Sequence, residues 1–262
     1  MRAAVVTKAR CVLGRSAVVA MFATAAAAPD RATAATTTLV DVPTRSVTQR
    51  FLYVRPDTPV ANIVFLPGLD GVLGIEDDGS TSTLAGHCAP FMRNREAFAS
   101  RGFALALVDR TSDHKVRQFV DVNEVVRYMR RRDDVPTWIV GGSGSTMGAL
   151  DFAVEYPRDE RLGVVIFSPA ELDAPRIARV TRPTLVVYHR DDDFSGPFVG
   201  ALFDALTAAP ARERIELAGG GGGSECGGPH LFMGIDAQFV DAIAGFILRH
   251  NTFGPSLEPN VR

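Results

Sequence analysis

Lysine is almost missing from this chain: Lys8 and Lys115 are its two lysines. No glycine-rich turn is therefore followed by a lysine, which excludes a phosphate loop of the form G-x-x-x-x-G-K-[ST]. A basic excess is also missing. Lysine and arginine total 28 against 30 acidic residues, a formal net charge of -2, which argues against a nucleic-acid surface. The one local run of cations, Arg130, Arg131 and Arg132, follows the helical spacing of Val122, Val125, Val126 and Met129 and reads as charge placed at a helix C-terminus. Cysteine is scarce, at three residues. Cys11 follows Lys8, Ala9 and Arg10, which is no small-residue box for a lipid anchor.

The first residues are built differently from the rest. Arg2, Lys8, Arg10 and Arg15 precede an apolar run from Ala17 to Ala28, with no acid before Asp30. This is the layout of a secretory signal peptide over residues 1–35, cleaved near 28–35. The apolar run is shorter than the roughly 20 residues that a membrane-spanning helix needs, so export to the periplasm or beyond is expected rather than a stable membrane anchor. An Ala-rich tail or an Arg-rich organellar transit peptide is the alternative. Beyond the leader two cysteines remain, Cys88 and Cys226, and an oxidising compartment invites a bridge between them. Two separate buried thiols are the other reading.

The chain as a whole is 46% hydrophobic and 22% charged, a globular composition, and 36–262 is expected to form a single domain. "TTTLVDVP" and "SVTQRFLYV" read as two leading strands broken by Pro43. "ANIVFLP", "FALALVD", "TWIV", "LGVVIFS" and "TLVVYH" are short continuous apolar runs that suit strands covered on both faces, and "IEL" is a further short strand. Helical patterns lie between them: "MRNREAFASRG", "VNEVVRYMRRR", "STMGALDFAVEYP", "GPFVGALFDALTAAP" and "DAQFVDAIAGFILRH". The alternation predicts one α/β domain with a mainly parallel sheet and helices on both faces. "AGGGGGSECGGP" is expected to be a long loop before the last helix.

Ligands of such sheets bind at the carboxyl ends of the strands, and "WIVGGSGSTMG", 138–148, stands at one. Gly142, Gly144 and Gly148 give only G-x-G-x-x-x-G, an imperfect dinucleotide turn. Gly141-Gly142-Ser143-Gly144-Ser145 meets the nucleophile-elbow pattern G-x-S-x-G at its first and central positions, with Ser145 in place of the final glycine. Ser145 fits less well as the nucleophile, because Ser143 and Met147 would flank it. An acid and a histidine follow in the order that a serine hydrolase requires: Asp191, Asp192 and Asp193 just past "TLVVYH", then His230 after "IEL".

Taken together, "FLPGLDG", "MRNREAFASRGFALALVDRTSD", "WIVGGSGST", "PTLVVYHRDDD" and "SECGGPHLFMGI" make the chain resemble the α/β-hydrolase superfamily, and more narrowly its small bacterial esterase-like members, over about residues 60 to 250. That resemblance implies an α/β-hydrolase fold without a large cap domain, since only about 15 residues separate "VVIFS" from "TLVVYH". It implies Ser143 as nucleophile, Asp192 as acid, His230 as base, and the backbone amides of Leu69 and Gly144 as oxyanion hole. Asp191 or Asp193 replaces Asp192 if the loop register slips by one. The implied activity is hydrolysis of a small-molecule carboxylic ester through an acyl-enzyme, with amide and thioester substrates open and no cofactor or metal required. The insertion 68–90 is expected to roof the cleft. Its Asp70, Glu76, Asp77 and Asp78 lack calcium-loop spacing and read as an acidic surface loop. A non-catalytic hydrolase-fold binder, or a dinucleotide-binding α/β protein, is the alternative function.

Overall fold

Five continuous apolar runs separated by helices lead to a sheet buried on both faces, and the computed structural model has this arrangement. It describes residues 35–44, 47–69, 71–109, 118–221 and 224–251. The expected leader, apart from Ala35, and Asp70 lie outside these. Eight strands run in the order β1-β2-β4-β3-β5-β6-β7-β8: β1 Thr36–Pro43, β2 Thr48–Arg55, β3 Ala61–Leu66, β4 Phe103–Asp109, β5 Thr137–Ser143, β6 Leu162–Pro169, β7 Thr184–His189 and β8 Arg212–Leu217. The pairs β1·β2 and β2·β4 are antiparallel and the others are parallel.

Alternation along each strand splits the core into two layers. Ile63 and Phe65 of β3, with Trp138 and Val140 of β5, face a layer covered by α1 (Leu84–Cys88), α2 (Pro90–Arg93), α3 (Arg95–Ala99) and α8 (Asp236–His250). Val64, Leu66 and Ile139 face the opposite layer, covered by α4 (Gln118–Arg132), α5 (Thr146–Glu155), α6 (Ala174–Ile177) and α7 (Gly196–Ala205). The first layer is aromatic: Phe91 stacks on Phe98 at 4.6 Å, and Phe239 meets Phe91, Phe98, Phe167 and Phe232. Two of the three cations in the α4 run are engaged: Arg130 bonds Thr137 and Asp159, and Arg132 lies 3.7 Å over the Tyr128 ring.

Two elements differ from their sequence patterns. "MRNREAFASRG" is not one helix but α2 and α3, interrupted at Asn94 (φ -104°, ψ 13°). The Asn94 side chain donates to the Pro90 carbonyl and to Asp236 at the start of α8, so a distant partner decides the break. The short strand "IEL" is the end of a six-residue β8. Arg212, Arg214 and Glu216 alternate outward; Glu213, on the inward row with Ile215 and Leu217, pairs with Arg249 and His250 of α8 and hides the period. Between β6 and β7, α6 is the only helix, so no large cap stands over the sheet there. Among the described residues no helix is long and apolar enough to cross a membrane.

Candidate active site

Strand β5 ends on Ser143, held at φ 48° with the register against β6 shifted between Gly142 and Ser143. A positive φ is costly for a residue with a side chain and persists only where the surroundings enforce it. Here the Ser145 N–H donates to the Gly142 carbonyl, and the Thr146 hydroxyl donates to the Ser143 carbonyl at 2.7 Å. The turn also needs bare backbone. A Cβ on Gly141 would sit 2.4 Å from the Ser145 carbonyl oxygen, and one on Gly144 would sit 2.9 Å from the Leu69 carbonyl oxygen.

Ser145, in the position where the elbow pattern has glycine, is buried, and its hydroxyl donates to the carbonyl of Pro67. That bond joins the elbow to the loop after β3. Two residues further on, Leu69 is also left-handed, at φ 56°. Among the described residues the N–H groups of Leu69 and Gly144 have no hydrogen-bond acceptor, and the two backbones lie against each other. Two amides without an acceptor beside a serine are hydrogen-bond donors of the kind that an oxyanion needs.

Asp192 is buried where β7 turns into α7. One carboxylate oxygen, Oδ1, accepts the N–H groups of Phe194 and Ser195, each at 3.2 Å; the other, Oδ2, accepts from Nδ1 of His230 at 2.8 Å. Burial pushes the Asp192 carboxyl up, but the hydrogen bonds from His230 and Ser195 and the attraction of His230 outweigh it and hold the carboxyl below its ordinary value. A depressed carboxyl favours the folded state above the ordinary carboxylate range, and this contribution is lost as pH falls through the lowered value. Asp191 and Asp193 are exposed. Asp191 lends its N–H to Nδ1 of the buried His189, whose Nε2 donates to the Gly219 carbonyl.

His230 sits in a 3₁₀ turn, Gly228–Leu231. The Ser168 hydroxyl donates to its carbonyl at 2.7 Å, the Ser195 hydroxyl lies 3.3 Å from Nδ1, and the Phe194 ring stands edge-on to the imidazole at 5.2 Å. With Nδ1–H given to the carboxylate, Nε2 is left as the basic nitrogen. His230 and Ser143 line one cavity of about 240 Å³. No sequence pattern marks Ser168 or Ser195 as supports; a serine at a strand end reads as turn chemistry. The left-handed φ of Ser168, 44°, and its complete burial mark it only in three dimensions.

The insertion 68–90 forms one wall of this cavity through Leu84, Ala85, Cys88 and Ala89. It is held by Asp109 at the end of β4, whose carboxylate accepts the N–H groups of Leu73, Gly74 and Ile75. Asp77 pairs with Arg50, and Asp78 accepts the Ser80 N–H, so these acids serve the loop itself. A disulfide joins Cys88 to Cys226. It ties the insertion to the segment that carries His230, and Arg93 adds bonds to the carbonyls of Cys88 and Leu231 and to Asp236.

No family model matches the chain, and no curated protein matches it by sequence. Solved structures do match it. A dienelactone hydrolase from Anabaena variabilis aligns with a TM-score of 0.62 at 16% identity, covering 82% of this chain and 98% of that one. An esterase from Pyrococcus furiosus gives 0.62 at 12% identity, with 82% and 91% covered, and carboxyl esterase 2 from the fungus Tuber melanosporum gives 0.59 at 12%, with 83% and 88% covered. The strand order and these likenesses define the class: the chain has the α/β-hydrolase fold.

Proposed function

We propose that the protein is a serine hydrolase that cleaves carboxylic esters through Ser143, His230 and Asp192. The observation that carries this reading is the 2.8 Å bond from Nδ1 of His230 to the buried Asp192, on an imidazole that shares a cavity with the left-handed Ser143. The solved structures of similar fold that are named as esterases and hydrolases point to the same bond class.

Ser143 Oγ attacks the ester carbonyl carbon as His230 Nε2 takes its proton. Asp192 keeps the imidazole in the tautomer that this transfer needs and stabilises the imidazolium. The carbonyl oxygen, now negative, is met by the amides of Leu69 and Gly144; one such donor is typically worth about 3 kcal/mol in the transition state. Collapse expels the alcohol with the proton from His230 and leaves an acyl group on Ser143. Water then repeats the sequence and releases the acid. Amides and thioesters present the same carbonyl to the same groups, and their turnover relative to esters is read in the same assay. The protein acts outside the cytoplasm, in keeping with its Cys88–Cys226 bridge and the signal-like residues at its start.

Purified Ser143→Ala and His230→Ala are each expected to lose about 10⁴-fold in kcat on a short-chain p-nitrophenyl ester. Turnover by Ser143→Ala near that of the unaltered protein would contradict the mechanism and favour a hydrolase-fold binder.

A further inference from the structure

We infer that the cavity beside Ser143 takes one uncharged hydrocarbon arm of the ester, of bounded length, and excludes arms that carry a carboxylate. The inference rests on the esterase reading and names the substrate class of that site.

The floor of the cavity is Phe65 and Phe167, both essentially without solvent exposure. One wall is Ala85 with the Cys88–Cys226 bridge; at the mouth stand Leu69 and Leu84, 75% and 64% exposed. These are two of the few large apolar side chains that the described residues leave in water. The lining is thus mainly apolar, and desolvating a hydrocarbon chain along it is favourable by the area covered. Among the described residues of the lining, the charged side chain besides His230 is Glu225. A carboxylate drawn into this apolar space would lose its water, and Glu225 would repel it.

Length is bounded by volume and by covalent structure. The space is about 240 Å³ and opens past Leu69 and Leu84, so a chain that outgrows it trails into water and gains little from each further methylene. The wall does not swing aside, because the disulfide fixes α1 to the segment bearing His230.

The experiment measures kcat/KM for p-nitrophenyl esters from acetate to dodecanoate, for n-alkyl acetates over the same lengths, and for mono-p-nitrophenyl glutarate against p-nitrophenyl pentanoate. In one series kcat/KM is expected to rise about fourfold per methylene over the shorter chains and then to stop rising; that series identifies which arm enters. The glutarate monoester is expected to be at least about a hundredfold poorer than the pentanoate. Ala85→Leu, which adds three carbons to the wall, should bring that limit to a shorter chain. Flat profiles in both series, or a glutarate monoester as good as the pentanoate, would overturn the inference. If Ala85→Leu does not fold, the profiles of the unaltered protein still decide. A protein that hydrolyses no ester in a Ser143-dependent way fails the esterase reading itself, and that result is distinct from a flat profile.

Discussion

A serine in the final position of the elbow raises the question of whether the turn can still tighten around Ser143. Ser145 answers it by using its hydroxyl: buried, it donates to the Pro67 carbonyl two residues before Leu69. A glycine could not make that bond, so the loop that offers the Leu69 amide is fixed to the turn that offers the Gly144 amide. Ser145→Ala leaves the Pro67 carbonyl without this donor, a loss of about 1–2 kcal/mol of stability. If the bond also sets the spacing of the two amides, kcat falls about tenfold with KM little changed, since an oxyanion forms only after binding. Steady-state kinetics on the folded variant checks this; an unaltered kcat would leave Ser145 a purely structural residue. At the same scale Ser168 and Ser195 hold His230 by its carbonyl and its ring. Neither was legible in sequence, because what distinguishes them is the partner, which comes from a loop 62 or 35 positions away.

Among the elements, those that carry chemistry were the most legible. A strand, a glycine turn and a helix follow one another over Thr137–Glu155, and the turn's tight approaches admit little besides glycine and serine. The acid and the histidine follow later strand ends, where local patterns mark loops clearly. The illegible elements are those decided from outside: α2 and α3 part at Asn94 because of Asp236, and β8 hides its period because Glu213, on its inward row, has its partners Arg249 and His250 on α8. The Gly-rich stretch predicted as a long loop holds two 3₁₀ turns, Ser224–Cys226 and Gly228–Leu231. Its anchor is the disulfide to α1 across 138 residues, a closure worth up to about 5 kcal/mol in the chain-entropy model. Reduction by a thiol is therefore expected to lower Tm by roughly 5–15 °C and to reduce ester turnover as the His230 turn loosens. Scanning calorimetry and activity with and without reductant test both; no change in either would show that Arg93 and its bonds hold the segment unaided.

Over the whole molecule, the sheet works as a platform with its chemistry at one edge. Ser143 ends β5, Asp192 follows β7 and His230 follows β8; because parallel strands finish on the same side, Ser143 and His230 line one cavity and Asp192 bonds His230. The short β6–β7 connection leaves the site without a large cap, and enclosure falls to the insertion 68–90, which Asp109 and Arg50 pin to the body of the sheet. The alternation of apolar runs and helices made this architecture readable; the cavity's apolar lining was not, because it is assembled from five separate segments.

The central claim is that Ser143 is an activated nucleophile, and covalent capture tests it without knowledge of the natural substrate. The protein is treated with a fluorophosphonate and the adduct is located by peptide mass spectrometry. A single adduct on Ser143, absent from Ser143→Ala and strongly slowed in His230→Ala, is the expected result. A folded protein that remains unlabelled, or one labelled at another residue, would contradict the account.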